Sequence, residues 1–196
     1  MYDAVCLASG GLDSLVCLHL LRQQGVRVLP VFVNYGQRNC DAELRSLLRN
    51  VEEQGFVPPI IVDFNQFGKI IRTGLTDDTK RIVEDAFTPN RNLLFLLLGA
   101  SVAHTRGVSS LVLGLLSEKT AIFSDQTDRF LSAARRAISE SLGANIEIVC
   151  PLRDMVKDDV VRLAATLDIK HSYSCHDGGP EPCGRCIACL EYSRGA

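Results

Sequence analysis

Ser9-Gly10-Gly11-Leu12-Asp13-Ser14 is the first stretch of this 196-residue chain whose residue types could do chemistry. Two adjacent glycines let a backbone turn sharply and approach a ligand, and Asp13 and Ser14 suit a helix start. There, free N–H groups and the positive end of the helix dipole favour an anion, so the stretch reads as a phosphate cradle. It lacks both the G-K-[ST] of a Walker A loop and the three-glycine spacing of a dinucleotide fold. Asp13 would repel a phosphate at close range unless a cation stood between them, which implies Mg2+. Taken bare, a tight strand-to-helix turn accounts for the same residues. A second constellation lies far along the chain, where Cys175, Cys183, Cys186 and Cys189 are spaced Cys-x7-Cys-x2-Cys-x2-Cys. Four thiolates at that spacing suit a closed, tetrahedral and therefore structural Zn2+ site. Reduced thiols, adventitious disulfides and an iron–sulfur cluster are the alternatives. His176 could replace one thiol, but beside Cys175 it reads as a group outside the ligand set or a surface residue.

The elements that must position these groups follow from hydrophobic periodicity. Residues 3–8 form an apolar run before the glycines, and 12–24 carry apolar residues at helical spacing up to Gly25. A second strand at 27–34, an amphipathic helix at 42–54 and a third strand at 59–64 complete a βαβαβ alternation. Residues 65–88 are polar and weakly periodic, an excursion with room for a helical turn or two. Alternation resumes with a helix at 93–105, a strand at 110–115, a helix at 125–142, a strand at 146–149 and a helix at 156–168. The expected fold is α/β: a doubly wound, five-stranded parallel sheet with ligands bound at the strands' carboxyl ends. Pro30 lacks a ladder donor and predicts a bulge or an edge strand. Beyond His171 the Gly/Pro/Cys-rich tail has no periodicity and must be ordered by something other than a core, namely the metal. This divides the chain into a body at 1–170 and a zinc-binding tail at 171–196, packed on the same body.

Composition limits the partners. The chain is 46% hydrophobic, 22% charged and 6% aromatic without Trp, as globular proteins are. Lys plus Arg number 21 against 23 Asp plus Glu, a net charge of −2 that disfavours stable nucleic-acid binding. The apolar stretch 93–103 is too short to span a bilayer, and an acid stands where a signal peptide carries a basic region. Clustered metal-type cysteines suit a reducing compartment, so the expected location is the cytoplasm. The four remaining cysteines, at 6, 17, 40 and 150, sit among apolar neighbours as small core residues.

The complete S-G-G-x-D-S string between first strand and first helix resembles the signature of the PP-loop ATP pyrophosphatases, which cleave ATP between the α and β phosphates. Joined to the four-cysteine knuckle, it resembles the 7-cyano-7-deazaguanine synthase family of the queuosine pathway. Asn34-Tyr35-Gly36-Gln37-Arg38 is similar to that family's D-Y-G-Q-R, and Pro89-Asn90-Arg91-Asn92 with Phe95 to its P-G-R-N-x-x-F. Gly114, Pro151-Leu152, Lys157 and Ser174-Cys175 fall at its remaining short motifs, and the ordered set covers nearly the whole chain. The resemblance implies that Ser9, Gly10, Gly11, Leu12, Asp13, Ser14, Tyr35, Gln37, Arg38 and Gly114 bind ATP. It implies Asp13 as a catalytic residue and makes Arg91 and Lys157 candidates for the cations that stabilise charge at the α-phosphate.

Residues 117–127 depart from the family's E-T-D-[FY]-S-G-Y-P-D-C-R, retaining only Asp125 and the aromatic Phe123. Glu118, Lys119, Phe123 and Asp125 are the expected substrate contacts. Tyr192 stands where an Arg is common, and 65–88 is shorter than the family's insertion. The implied activity is a carbon–nitrogen ligase that adenylates a small carboxylate, 7-carboxy-7-deazaguanine, and couples it to ammonia, giving amide and then nitrile. Mg2+ accompanies ATP. The competing readings are transfer to another amine such as one on a protein, a tRNA-thiolating enzyme, which the net charge disfavours, and a catalytically silent nucleotide-binding module. A homodimer is compatible with all of them.

Overall fold

Each strand is short and apolar because helices cover the sheet on both sides. In the computed structural model, which describes residues 1–193, β1 (Ala4–Leu7) is buried at every position and hands over through the glycine loop to α1 (Leu12–Gln23). Next come β2 (Val28–Asn34), α2 (Cys40–Gln54) and β3 (Ile60–Asp63). The polar excursion holds one short helix, α3 (Gln66–Ile70). The second half runs α4 (Arg91–Thr105), β4 (Ser110–Val112), α5 (Asp128–Leu142), β5 (Glu147–Val149) and α6 (Lys157–Thr166). All strands pair in parallel, in the order β3-β2-β1-β4-β5. The chain therefore winds outward from β1 to β3 and then crosses to β4. The carboxyl ends of β1 and β4 flank the crevice where such sheets bind ligands.

One face of the sheet is covered by α1 and α6, with Leu15, Leu18, Phe32, Leu47, Val112 and Val160 in its core. On the other face α4 and α5 pack Leu96, Ala100 and Ile138 against Val5, Val31 and Leu111. Gly99 lets α4 lie close, since a β-carbon there would come within 2.7 Å of the Leu111 side chain. A third, small cluster joins Leu75 and Ile82 of the excursion to Cys175, Cys186 and Ala188 of the tail.

Pro30 lies neither on an edge strand nor in a bulge. β2 is interior, and Pro30 is in regular register with Cys6. The Val31 carbonyl accepts from the Ala8 N–H just beyond β1, so alternation turns the Pro30 nitrogen toward β3, whose pairing begins only opposite Val31. The missing donor faces a position where no ladder partner exists. Boundaries move at two sites. The helix expected at 93–105 starts at Arg91, after Asn90 takes the left-handed conformation (φ 59°) that asparagine tolerates. The similar P-G-R-N motif carries glycine at this position. The expected 125–142 helix begins instead with a 3-10 turn, Ser124–Gln126, before the Thr127 hydroxyl caps α5 by accepting from the Phe130 N–H (3.2 Å).

The tail is less irregular than its composition suggests, because the cysteine knuckle runs directly into α7 (Ile187–Ser193). A strap at 171–177 ties it to the body. Tyr173 N–H donates to the Gly10 carbonyl (3.0 Å), Leu12 N–H to Ser174 Oγ (3.3 Å), and Asn39 Nδ2 to the Cys175 carbonyl (3.0 Å). Arg38 Nη2 meets Asp177 Oδ1 at 2.5 Å. From α2, Ser46 Oγ donates to both the Gly10 and His171 carbonyls, and Asn50 Nδ2 also donates to the His171 carbonyl. Among the described residues no helix is long and apolar enough to cross a membrane.

Candidate active site

The glycine loop presents four consecutive backbone N–H groups, each bonded to a side-chain hydroxyl. Ser9 and Gly10 N–H both donate to Ser14 Oγ (3.2 Å each), Gly11 N–H to Ser9 Oγ (3.1 Å), and Leu12 N–H to Ser174 Oγ. Hydroxyl oxygens, two of them from the loop itself, thus satisfy donors that a phosphate oxygen would accept from more strongly. Gly10, at φ 86°, has no room for a side chain: a β-carbon would stand 2.3 Å from the Glu43 carbonyl. Gly114 closes the opposite wall, where a β-carbon would lie 3.3 Å from the Asp13 backbone.

The loop floors a cleft of about 330 Å3 at the carboxyl ends of the strands. Of the residues expected to act, Ser9, Gly11, Leu12, Asp13, Ser14, Tyr35, Gln37, Arg91, Gly114, Phe123 and Lys157 all line it. Lys157, the first residue of α6, reaches the first turn of α1, placing Nζ 2.8 and 3.0 Å from the two oxygens of Asp13. Burial opposes its charge, but Asp13, Tyr192 and Glu191 outweigh that effect and the lysine pKa is raised. The Tyr192 ring lies 4.8 Å from the ammonium. Lys157 is thus a protein cation beside Asp13, where charge repulsion with a phosphate would arise. Arg91 stands 5.9 Å from the Phe95 ring centre, and its buried Nε has no hydrogen-bond partner among the described residues.

Other expected contacts lie elsewhere. Gly10 shapes the loop from beneath. Arg38 turns away from the cleft to Asp177 and the Gly74 carbonyl (3.4 Å). Glu118 and Lys119 are exposed in a 3-10 turn, Glu118–Thr120, outside the lining. Asp125 is buried behind the lining, its carbonyl accepting from Asn92 Nδ2 (3.1 Å) and its Oδ1 unpartnered among the described residues. Phe123 alone of that stretch's four faces the cleft, packed against Phe87 at 5.2 Å between ring centres.

Glu43 and Asn39, which the sequence did not single out, also line the cleft, as do Ser174 and His176, to which it gave no role there. Gln37 holds Glu43: its Nε2 donates to Glu43 Oε2 (3.2 Å) and to the Val33 carbonyl, while its Oε1 accepts from the Tyr35 N–H (2.9 Å). The residue as a whole keeps some solvent contact, yet its carboxyl points into protein. This desolvation pushes its pKa up to about 7 against the pull of Gln37, Arg91 and Asn39. A carboxyl raised from its ordinary 4.5 favours the fold while protonated and loses that contribution as the pH climbs through 7. Glu43→Gln should therefore match the natural protein at pH 5 and exceed its unfolding free energy by about 2 kcal/mol at pH 8, discounted for partial exposure. Denaturant titrations at both pH values check this, and a pH-independent gap would remove the buried charge as its cause. Burial also lowers the His176 pKa, with Arg91 and Lys157 adding to it.

The four tail cysteines bring their sulfurs within 4.8 Å of one another. Cys175 and Cys186 are buried, and backbone N–H groups of Cys183, Cys186, Cys189 and His176 point at the sulfurs (3.3–3.5 Å). Against burial, the backbone N–H groups of Arg185 and Cys186 and the neighbouring thiols draw Cys183 down to about 7, whereas burial and the adjacent sulfurs push Cys189 up to about 12. Without a cation the sulfurs cannot all ionise together; a dication at their centre removes that repulsion. The donor set and its N–H collar fit a tetrahedral thiolate-bound metal.

The profile of one protein family, described as queuosine biosynthesis protein QueC, matches residues 3–196. A 7-cyano-7-deazaguanine synthase of Rickettsia bellii is 32% identical over 209 aligned positions, covering 96% of this chain and 91% of that one. One from Campylobacter concisus is 29% identical, covering 96% and 91%. Among solved structures, an NMN synthetase of Francisella tularensis superposes with a TM-score of 0.59 at 14% identity, covering 91% of this chain and 68% of that one.

Proposed function

The chain belongs to the QueC family of queuosine biosynthesis proteins, and from that premise we propose that it is an ATP-dependent carbon–nitrogen ligase of the 7-cyano-7-deazaguanine synthase type. The observation that carries this reading is one cleft that joins a backbone N–H cradle to two cations, Arg91 and Lys157, at the sheet's topological switch point. A carboxylate oxygen of 7-carboxy-7-deazaguanine attacks the α-phosphorus of ATP. The bond between the α-phosphorus and the bridging oxygen breaks, and pyrophosphate leaves into the loop formed by Ser9, Gly10, Gly11, Leu12, Asp13 and Ser14. Arg91 and Lys157 stabilise the charge that grows at the phosphorus. Ammonia then attacks the acyl carbon, AMP departs with the former carboxylate oxygen, and the nitrogen gives up a proton. A second ATP activates the amide for dehydration to the nitrile.

Mg2+ accompanies the ATP phosphates and supplies charge neutralisation, with Asp13 the protein carboxylate nearest the cradle. Cys175, Cys183, Cys186 and Cys189 hold Zn2+, which supplies folding free energy to the 171–196 tail while the 1–170 body carries the reaction. Keeping these thiols reduced suits the cytoplasm. Phe123 offers a ring face to the flat substrate, and Asp125 supports the wall behind it.

Incubation with ATP, Mg2+ and 7-carboxy-7-deazaguanine, with and without ammonia, tests the assignment by product mass. AMP and pyrophosphate should appear only with the carboxylate, and amide and nitrile only with ammonia. Stimulation by a different carboxylate, and none by the deazaguanine, would overturn the substrate. A second reading, transfer to another amine such as one on a protein, is favoured by the placement of Glu118 and Lys119 outside the cleft. Where the family's substrate-recognising stretch lies, this chain presents exposed charges. That reading expects an acyl adduct on the amine in place of nitrile.

A further inference from the structure

Thr120, Ile122, Phe123 and Gln126 line the cleft from a stretch whose only regular structure is two 3-10 turns. One side chain from outside the lining holds both ends of that stretch. Arg153, in the turn between β5 and α6, donates from Nη1 to the carbonyls of Leu116 (2.7 Å) and Gln126 (2.9 Å), and from Nε to Oδ1 of Asp128, the first residue of α5 (2.6 Å). Two carbonyls that share one nitrogen are fixed relative to each other, so the guanidinium closes 117–126 into a loop with adjoining ends. Ser117 N–H donates to the Met155 carbonyl (2.9 Å) beside it. The turn that carries Arg153 is itself fixed: Leu152 is fully buried, Arg153 N–H donates to the Cys150 carbonyl (3.1 Å) and Met155 N–H to the Leu152 carbonyl (3.0 Å). From there the constraint passes inward through Gln126, whose Oε1 accepts from the N–H groups of Ile122 (2.9 Å) and Phe123 (3.1 Å). Gln126 stands where the family's string carries cysteine, a side chain with no amide oxygen to do this. The planar guanidinium, with five donors in a rigid fork, suits two carbonyls and a carboxylate at once.

We propose that Arg153 is a positioning residue for carboxylate specificity: by clamping 117–126 at both ends it fixes the place of Phe123 in the cleft, and so selects the flat carboxylate that packs there. This rests on the ligase reading above. Arg153 acts through Gln126 and Phe123, since it lies outside the lining. The nucleotide end is built by other groups, the 9–14 loop and the Lys157–Asp13 pair, so loosening the clamp should fall on the carboxylate. Without it the Phe123 wall loses its preorganisation, and binding has to restore the order that the clamp supplies.

The test uses the full chain with Arg153→Met and Arg153→Lys. Methionine leaves both carbonyls without their donor, whereas lysine keeps a charge near Asp128 and loses the fork. Hydrogen exchange, which needs no turnover, should quicken at least about tenfold at the Ile122 and Phe123 amides of the Met variant, stay at the natural rate over residues 9–14, and fall between the two in the Lys variant. In carboxylate-dependent ATP cleavage, the KM for 7-carboxy-7-deazaguanine should rise about tenfold in the Met variant and about threefold in the Lys variant, with kcat and the KM for ATP held within about twofold. Unchanged exchange at Ile122 and Phe123, or a KM for ATP that rises as far as that for the carboxylate, would overturn the assignment. If the Met variant fails to fold, the Lys variant decides by the same measurements. Absence of carboxylate-dependent cleavage by the natural protein would instead overturn the ligase reading, and the exchange pattern would still decide the clamp.

Discussion

Substituting serine for Cys186 should abolish adenylation, lowering AMP and pyrophosphate release by at least about 100-fold, although no cysteine of the cluster faces the loop directly. Cys186 is fully buried, and its sulfur accepts from the N–H groups of both His176 and Cys189. Serine offers a harder and far less acidic ligand, so the metal would lose one of four anchors. The tail has a core of only a few residues to replace it. Its failure would release Ser174 from the Leu12 N–H and withdraw His176, Ile187 and Ala188 from the cleft wall. Elemental analysis should find one zinc per chain in the natural protein and less in the variant, and prolonged chelation should reproduce the loss. Full turnover by metal-free protein would show the cluster to be dispensable, and iron in the natural protein would change its identity.

Asp13→Asn should produce the other large effect, a fall of at least about 100-fold in pyrophosphate release with the fold retained. Asparagine is tolerated in a first helical turn, so α1 survives. What changes is Lys157, a largely buried ammonium whose ion pair at 2.8 Å is its closest compensation. Left with a neutral amide, it should cost about 1–3 kcal/mol of stability, less than a fully buried pair because Asp13 keeps solvent contact. Removing both charges, with Lys157→Met added, should recover much of that stability and none of the activity. Recovered activity in the double variant would reduce the pair to a structural strut. Lys157→Met alone should lower the maximal rate more than the affinity for ATP, as expected of a charge that acts on the transition state.

The sheet was legible from the sequence because β1 to β5 and their helices obey simple periodicities, and the loop because the complete string from Ser9 to Ser14 falls between the first strand and the first helix. The cysteines were legible from spacing alone. Pro30 misled because its cost depends on which neighbour its nitrogen faces, and that is a matter of register rather than of type. Arg38 lies beside Tyr35 and Gln37 in sequence but is drawn off by Asp177, 139 residues away. Glu43 left a trace that could have been followed. Half-buried itself, it stands at helical spacing from the buried Ser46, Leu47 and Asn50 of α2, and a carboxylate at that spacing on an inward face points to a site. His176 left none, since nothing local distinguishes a histidine that lines a cleft from one beside a metal.

The strap also sets an order of events in biosynthesis. The loop's Leu12 N–H finds its hydroxyl partner 162 residues later, at Ser174. While the chain is emerging from the ribosome, β1, α1 and β2 can dock long before that partner exists, and the cradle stands unfinished. A nascent or truncated chain lacks the wall of the cleft that Ser174, His176, Ile187 and Ala188 provide. Arrival of the tail is then a checkpoint on quality: only a chain translated through its cysteine knuckle completes the cleft.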